Sequence, residues 1–475
     1  MLYDLNFLRK GAEFPPREEI KRLDAYRVNA LLLEDEMWSA LPEHKQRVVY
    51  MLSHFALNAQ NVYLYSANYW SDFVNKMQEL AYGETPEITV SDEEEQLNEI
   101  LTATDCINKA DEGLEDFIAL GDWVTKIVDN SFINVNPATW FPIVSRENVK
   151  EVVAHVLAWV VPIGGNKWEL HAQVHEKGKY TNRAFEITNY NADAWYKDGK
   201  TGQNVKMPTY EIGKELEESK TAFTLGVFPT GLDDFAIVAS ANNPGTRRIC
   251  GTSDFDKITD AIAEYNIRMT LKDVVLDKHA TPIMYGPQLA GEGGIGNYIE
   301  VPNGESTPGY LTWDASMQAV ENTINELKND ISNLSGLGSL LNSKTFGESQ
   351  GYDALMIKLA PALMRSTRKK AILTKHIKKL LSTLSVKYGN KIEEKDISIL
   401  WHDGIPASEG RRAEIAQKHL STGWSYKRVL MLDYGFDETT ADAIIEEKRL
   451  ETPAMPAFGI DESVFNGAQG GGIEE

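Results

Sequence analysis

Residues 334–388 read LSGLGSLLNSKTFGESQGYDALMIKLAPALMRSTRKKAILTKHIKKLLSTLSVKY, and the rest of the chain is organised around them. After a glycine-bearing segment, leucine and isoleucine recur at helical spacing, which predicts one long helix over residues 352–388. Uninterrupted, such a helix would be roughly 55 Å long at about 1.5 Å per residue. Pro361 removes one of its backbone hydrogen bonds and is expected to bend it, and Gly389 ends it.

The predicted long helix is basic, although the chain carries a formal net charge of −22. Asp353 is the one acidic residue in it. One interpretation leaves the basic side chains solvated or pairs them with acids of neighbouring segments or subunits, and the other places them against nucleic acid. Lys344, which precedes the helix, is the better candidate for touching phosphate because it is isolated there. The basic residues of the helix are Lys358, Arg365, Arg368, Lys369, Lys370, Lys375, Lys378, Lys379 and Lys387.

Composition limits the kinds of protein that the chain can be. Its 475 residues suit two to four packed units, and its apolar content of 42% is ordinary for a globular protein. Cys106 and Cys250 are its two cysteines, which argues against a disulfide framework and a cysteine-based zinc site and fits a reducing compartment. The acidic charge disfavours a protein that wraps nucleic acid, but it allows one that lets nucleic acid pass without binding it tightly.

The sequence predicts no membrane segment. The first ten residues lack the apolar core of a signal peptide. The longest apolar run, residues 152–163, includes His155 and is too short to cross a bilayer. We therefore expect a soluble cytosolic protein with no membrane partner.

Helices and strands are segregated in the first half of the chain. Amphipathic helices are predicted over residues 17–33, 45–80 and 94–119. Over residues 123–250 the apolar period changes to two, which predicts a mainly antiparallel sheet. This segregation is typical of an α+β fold.

Two further helices, over residues 253–278 and 313–334, flank a segment rich in glycine and proline at residues 280–312. This order predicts an antiparallel helical stalk with a small protrusion that contains short strands. The apolar seams of both helices are narrow, so they need partners, either each other or copies in neighbouring subunits. The seam residues are Phe255, Ile258, Ile262, Tyr265, Met269, Met317, Val320, Ile324, Leu327 and Ile331.

The C-terminal part is predicted to be mostly helical. A strand over residues 397–401 precedes helices over residues 408–421, 425–434 and 437–450. The tail from residue 451 contains three consecutive glycines and is expected to be mobile.

The sequence GESQG at residues 347–351 fits the G-x-S-x-G motif of serine hydrolases. That motif needs a buried strand before the serine and a parallel sheet around it, whereas a polar segment precedes it here. The glycines would equally allow a loop to turn into a helix. A cytosolic serine hydrolase that uses Ser349, with His402 or His419 as base and Asp396 as its partner, is therefore kept as the alternative function.

Two other motifs resemble cofactor or metal sites, but neither predicts one. Residues 291–296 match G-x-G-x-x-G but lack the strand and helix that a dinucleotide site requires, and there is no Walker A loop for a nucleotide-driven motor. His171 and His175 are predicted to lie on one solvated face of a strand, about 13 Å apart, which is too far for one zinc ion.

Several stretches of the chain occur in an order that resembles the portal proteins of tailed double-stranded-DNA bacteriophages, particularly the branch common in phages of Gram-positive hosts. The likeness covers roughly residues 15 to 450, and Gln350 departs from it because a small residue is expected before Gly351. The stretches are YGETPEI at 82–88, ALGDW at 119–123, NPATWFP at 136–142, GTSDF at 251–255, AEYN at 263–266, FGESQGYDAL at 346–355 and DGIP at 403–406.

The resemblance implies a portal-like α+β fold with an α/β wing, a two-helix stem, a small α/β clip, a long bracing helix and a helical crown. It implies the following division of the chain: wing, 1–252; first stem helix, 253–279; clip, 280–312; second stem helix, 313–334; tunnel loop, 335–350; long wing helix, 351–389; wing strand, 390–407; crown helices, 408–450; mobile tail, 451–475.

The resemblance also implies a function without bond chemistry, and hence a protein that is not an enzyme. Twelve copies would form a ring at one capsid vertex, through which double-stranded DNA is packaged and ejected. The clip would dock the terminase and later the head–tail adaptor, and the ring would meet the major capsid or scaffolding protein. Assembly would occur in the host cytoplasm, and the product would be part of the virion. The loop residues implied to face DNA are Leu341, Asn342, Ser343, Lys344 and Thr345.

Overall fold

The computed structural model contains both helices and sheets, as the α+β prediction requires. It falls into two units, Met1–Gly404 and Ile405–Glu475. The structure describes residues 1–53, 63–192, 194–197, 204–280, 283–286, 298–301, 309–311, 317–338, 352–402, 409–434, 436 and 438–451.

Nine helices are described in the first unit and three in the second. Those of the first unit are α1 Ile20–Leu33, α2 Met37–Ala40, α3 Pro42–Ser53, α4 Tyr69–Tyr82, α5 Glu94–Thr104, α6 Cys106–Ala119, α7 Thr259–Ala280, α8 Met317–Ser335 and α9 Tyr352–Ser385. Those of the second unit are α10 Glu409–Ser421, α11 Tyr426–Tyr434 and α12 Glu438–Glu451.

The described strands all belong to the first unit. They are β1 Glu13–Phe14, β2 Glu87–Val90, β3 Asp122–Val128, β4 Ser131–Val135, β5 Trp140–Val144, β6 Val152–Gly164, β7 Lys167–Glu176, β8 Lys179–Asn191, β9 Trp195–Lys197, β10 Asn204–Lys206, β11 Thr209–Glu215, β12 Gly226–Pro229, β13 Ile237–Ala241, β14 Ile283–Gly286, β15 Tyr298–Glu300, β16 Gly309–Leu311 and β17 Ile397–Leu400.

The largest sheet has the strand order β1-β11-β8-β7-β6-β5, with β12 also paired to β8. Its neighbouring strands pair antiparallel, which confirms the prediction from the period of two. A second sheet has the order β13-β3-β4, and a small one, β15-β14-β16, lies in sequence between α7 and α8. The two long helices α7 and α8 contact each other, as the stalk prediction requires.

The prediction of a single helix over residues 45–80 is wrong. Residues 63–68 are described and are not helical, and α4 begins at Tyr69. The backbone N–H of Tyr65 donates to Thr270 Oγ1 at 3.0 Å, and that of Ala67 donates to Asn266 Oδ1 at 2.9 Å. These bonds to α7 replace the intrahelical ones, so tertiary structure overrides the local helical pattern.

The predicted helix over residues 94–119 is also two helices, α5 and α6, that meet at Asp105. Asp105 adopts a left-handed conformation with φ of 53°, which a continuous helix does not permit. Its carboxylate accepts a hydrogen bond from Asn108 Nδ2 at 2.8 Å, so this short polar side chain stabilises the break locally.

The prediction of a solvated histidine face on β7 is wrong, although the strand itself is confirmed. His171 is 3% exposed and His175 is 0% exposed. The ring of His171 stacks on Phe223, with 4.3 Å between centroids, because the segment before β12 covers this side of the sheet. Both faces of β7 are therefore buried, which alternation of residue types does not reveal.

The main core of the first unit collects helices and the small β13-β3-β4 sheet around large aromatic side chains. Trp70, Phe73, Phe117, Trp123 and Phe132 are fully buried in it. The apolar stripe of α9 packs in the same core, so the long helix is confirmed and continues past Pro361. No helix among the ranges described is long and apolar enough to cross a membrane.

Candidate functional site

Three helices, α7, α8 and α9, meet at one buried carboxylate, and we call this place the junction. Asp254, just before the short turn Phe255–Lys257 that leads into α7, is 1% exposed. Its Oδ1 accepts from Arg365 Nη2 at 3.3 Å and from Asn243 Nδ2 at 3.0 Å. Its Oδ2 forms an ion pair with the ammonium of Lys369. The start of α7 is thereby fixed to two basic residues of α9.

Arg365 also fixes the end of α8. Its Nη1 donates to the backbone oxygen of Ser335, the last residue of α8. The last carbonyls of a helix have no partner within that helix and carry partial negative charge, so a guanidinium stabilises them. One arginine side chain thus bridges the C-terminal end of α8 and the carboxylate that precedes α7.

The electrostatics of the junction keep Asp254 ionised. Burial acts to raise the pKa of its carboxyl, but the charges of Lys369 and Arg365 outweigh burial and the pKa is lowered. Burial lowers the pKa of the Lys369 ammonium, against the opposing effect of Asp254. Removing one partner would leave an uncompensated charge in the core, which is strongly destabilising.

Most of the seam residues predicted from the sequence lie against other parts of the same subunit. Phe255, Ile258, Ile262 and Tyr265 are buried in the main core, as are Ile324 and Ile331 of α8, while Met269 and Leu327 pack partly buried against it. Val320 is 37% exposed, and the side chain of Met317 lies outside the described residues. Most of the apolar seam of α7 and α8 is therefore buried against residues of the same chain.

Helix α8 exposes three acidic side chains that were not predicted from the sequence. Glu321, Glu326 and Asp330 are exposed on it. Glu321 lies 3.6 Å from Lys272 of α7. The positions of α8 between its apolar residues are mostly acidic or polar, and this composition was the available signal in the sequence.

Several basic residues of α9 serve contacts within the subunit. Lys370 donates to the backbone oxygen of His402 at 2.6 Å, and Lys379 lies 3.4 Å from Asp234. Lys387, just after α9, donates to the backbone oxygen of Thr230. The interpretation that pairs basic residues with neighbouring segments is confirmed for Lys379, and for Lys369 at the junction.

His376 fixes α9 to the β13-β3-β4 sheet and was also missed. Its ring stacks on Trp123, with 3.7 Å between centroids. Its two ring nitrogens lie 3.1 Å from Thr125 Oγ1 and 2.9 Å from Ser240 Oγ. Burial lowers the pKa of His376 to about 3, and repulsion from Lys379 adds to this. A histidine in the apolar stripe of α9 was the available signal.

The predicted DNA-facing residues Leu341, Asn342, Ser343, Lys344 and Thr345 lie outside the described residues, as do Ser349 and the glycine motif at 291–296. His402 lies 3.9 Å from Glu84, and His419 Nδ1 is hydrogen-bonded to Asp433 Oδ2 at 2.8 Å. Within the described ranges, no cluster of histidine, cysteine and carboxylate residues could hold a metal ion.

The helices and sheets of this fold are segregated along the chain. The charged groups described at the junction form buried ion pairs, so their role there is to hold the helices together. The family described as "Phage portal protein, SPP1 Gp6-like" matches residues 63–450. The chain therefore belongs to the SPP1 Gp6-like family of phage portal proteins. As a phage portal protein it is a component of the virion at the capsid vertex.

Two solved structures match the chain at low sequence identity and low TM-score. The chain "Neck of native GTA particle computed with C12 symmetry" is 12% identical, with a TM-score of 0.42, 77% of this chain covered and 90% of that chain covered. The chain "Virion of native gene transfer agent (GTA) particle" is 13% identical, with a TM-score of 0.41 and coverages of 76% and 88%. No curated protein matches the chain.

Proposed function

We propose that twelve copies of this chain form a ring whose central tunnel conducts double-stranded DNA during packaging and ejection. The observation that carries the proposal is the match to the portal family over residues 63–450, which includes α4 to α12. Assembly takes place in the host cytoplasm, with the major capsid or scaffolding protein as partner.

In this proposal the segments keep the roles that the resemblance implies. Residues 1–252 and 351–407 form the wing, α7 and α8 form the stem, and residues 408–450 form the crown. Residues 280–312, which contain the small β15-β14-β16 sheet, form the clip that docks the terminase and later the head–tail adaptor. This small sheet between two long helices supports the assignment of a compact protrusion.

The negative charge of the chain supports a tunnel through which DNA moves without binding tightly to the wall. The chain has a net charge of −22, and α8 exposes Glu321, Glu326 and Asp330. In a ring these acids are repeated in every subunit, and like charges on wall and DNA prevent tight binding. Lys344, in the segment that joins α8 to α9, supplies a weak local contact with phosphate.

The junction supports a bracing role for α9. The chain leaves α8 at Ser335 and enters α9 at Tyr352, and the intervening segment is the proposed tunnel loop. Arg365 holds the end of α8, and Asp254 holds α9 to the start of α7. Force that DNA exerts on the loop would therefore be resisted by a buried ionic contact.

The proposal is tested by electron microscopy and native mass measurement of the full chain, followed by DNA packaging with a Lys344→Ala variant. We expect rings with a central channel, and we expect the variant to form the same rings but to retain or package less DNA. Lys375→Ala, which removes an exposed charge on α9, is the matched control and should package normally. A chain that forms no ring even with its capsid partners present would overturn the ring, and normal packaging by Lys344→Ala would remove the loop assignment.

A further inference from the structure

A cavity of about 170 Å³ lies beside the junction. It has room for a tetrahedral oxyanion with bound water, since one water occupies about 30 Å³ in the liquid. The cavity is lined by residues of α9, by the last turn of α8, by the turn before α7 and by the segment after β13. Among the residues that the structure describes, its polar lining comprises Asn242, Asn243, Lys257, Arg365, Arg368 and Lys369.

The buried part of this lining contains a hydrogen-bond donor with no partner. Asn242 is 1% exposed, and its Oδ1 accepts from Lys369 Nζ at 2.8 Å. That bond fixes the orientation of the amide, because a reversed amide would place two donors against each other. Asn242 Nδ2 is then left without a hydrogen-bond partner in the structure. Buried donors are normally paired, so this one indicates an acceptor that is supplied from outside the chain.

The exposed part of the lining contains cations that no acid neutralises. Lys257 and Arg368 are exposed, and neither side chain forms an ion pair with another residue in the described parts of the chain. Asp254, the acid at the junction, is already engaged by Arg365 and Lys369. Repulsion from Arg365 and Arg368 contributes to the lowered pKa of Lys369, after the larger effect of burial. The cavity therefore combines four basic side chains and an unpaired amide donor.

We propose that this cavity binds a phosphate group, either free orthophosphate or a phosphodiester of nucleic acid. A phosphate has several strong acceptor oxygens, which can engage the Asn242 amide, the two guanidinium groups and the Lys257 ammonium together. A carboxylate has two oxygens and would leave part of this donor set unpaired. The described lining residues come from four segments of one chain.

The test titrates the full chain with sodium phosphate at constant ionic strength, with chloride as the competing anion, and measures Kd by calorimetry. We expect saturable binding by the native protein and about tenfold weaker binding by Arg368→Gln and by Lys257→Gln, since each loses a charge-assisted hydrogen bond. Lys375→Gln removes an exposed charge of α9 outside the cavity and should leave Kd unchanged. Circular dichroism and particle size check that every variant folds and assembles as the native protein does.

A second arm adds short double-stranded DNA to the phosphate-loaded protein. If DNA displaces phosphate from the native protein and this displacement is lost in Arg368→Gln, the natural ligand is a phosphodiester of nucleic acid. If DNA does not displace phosphate, the natural ligand is free phosphate. Absence of phosphate binding by folded native protein would overturn the proposal. Equal weakening by Lys375→Gln would also overturn it, because the anion would then follow overall charge and not the cavity.

Discussion

The two halves of α9 use basic residues in opposite ways. Near the junction, Lys369 is 4% exposed and forms a buried ion pair with Asp254. Ten residues further on, the side chain of Lys379 is 42% exposed and lies 3.4 Å from Asp234, whose side chain is 36% exposed. The second half is held instead by Leu373, Ile377, Leu380, Leu381 and Leu384, all 0% exposed.

This difference shows that one helical stripe of lysine and arginine has no single function. A buried pair depends on both partners, because each charge lost water on folding and is compensated only by the other. A partly exposed pair keeps much of its hydration and contributes little. The first half of α9 is therefore sensitive to charge, and the second half is sensitive to packing.

The largest expected effect comes from Asp254→Asn, which keeps the shape of the side chain and removes its charge. Lys369 and Arg365 then face each other in the core without an anion, and we expect a loss of about 3–5 kcal/mol in the free energy of unfolding. Urea unfolding followed by tryptophan fluorescence measures this.

Asp256→Asn is the matched control for this substitution. Asp256 lies two residues away and is exposed, so its substitution should change the free energy of unfolding by less than about 0.5 kcal/mol. Equal effects of the two substitutions would contradict the distinction between the buried ion pair at the junction and an exposed charge beside it.

A smaller effect is expected in acid from His376, which lies among the buried apolar residues of the second half. Its pKa in the folded protein is about 3, below the ordinary value of 6.5, so the unfolded chain binds a proton at a pH where the folded protein does not. The stability that neutral His376 contributes is complete above pH 6.5 and is lost as the pH falls toward 3. Between pH 6.5 and 5 this loss amounts to about 2 kcal/mol.

His376→Gln keeps a polar side chain and removes this titration. We expect the variant to lose about 2 kcal/mol less than the native protein between pH 6.5 and pH 5, as measured by urea unfolding at both values. Comparing the same chain with and without the imidazole cancels the other groups that titrate in this range. Identical losses in both proteins would show that His376 is accessible to protons in the folded state.

The helices of the stalk and α9 could be predicted from the sequence because their signal is local. A stripe such as Phe255, Ile258 and Ile262 specifies a helix without knowledge of its partners. The antiparallel strands were predictable for the same reason, since alternation over β6 to β8 is a local property. The break before α4 was not predictable, because Asn266 and Thr270, about 200 residues away, supply the hydrogen bonds that stabilise it.

The junction could not be predicted because its members are distant in sequence. Asp254 precedes the turn into α7, yet it forms no capping hydrogen bond there and instead pairs with Arg365, 111 residues away. The basic composition of α9 is evident from the sequence. The burial of each basic side chain decides whether it forms an ion pair, contacts a backbone oxygen or lines the proposed phosphate cavity. Which lysine does which depends on the fold of β13, α7 and α8 around the helix.

The smallest expected effect comes from Lys379→Gln, which completes the comparison between the two halves. The Lys379–Asp234 pair is more than one-third exposed on each side, so water and salt already screen it. We expect a loss of about 0.5 kcal/mol in the free energy of unfolding at low salt, and less at 1 M sodium chloride. A loss near that of Asp254→Asn would contradict the comparison, because it would mean that this pair, despite its exposure, also compensates a charge that water does not reach.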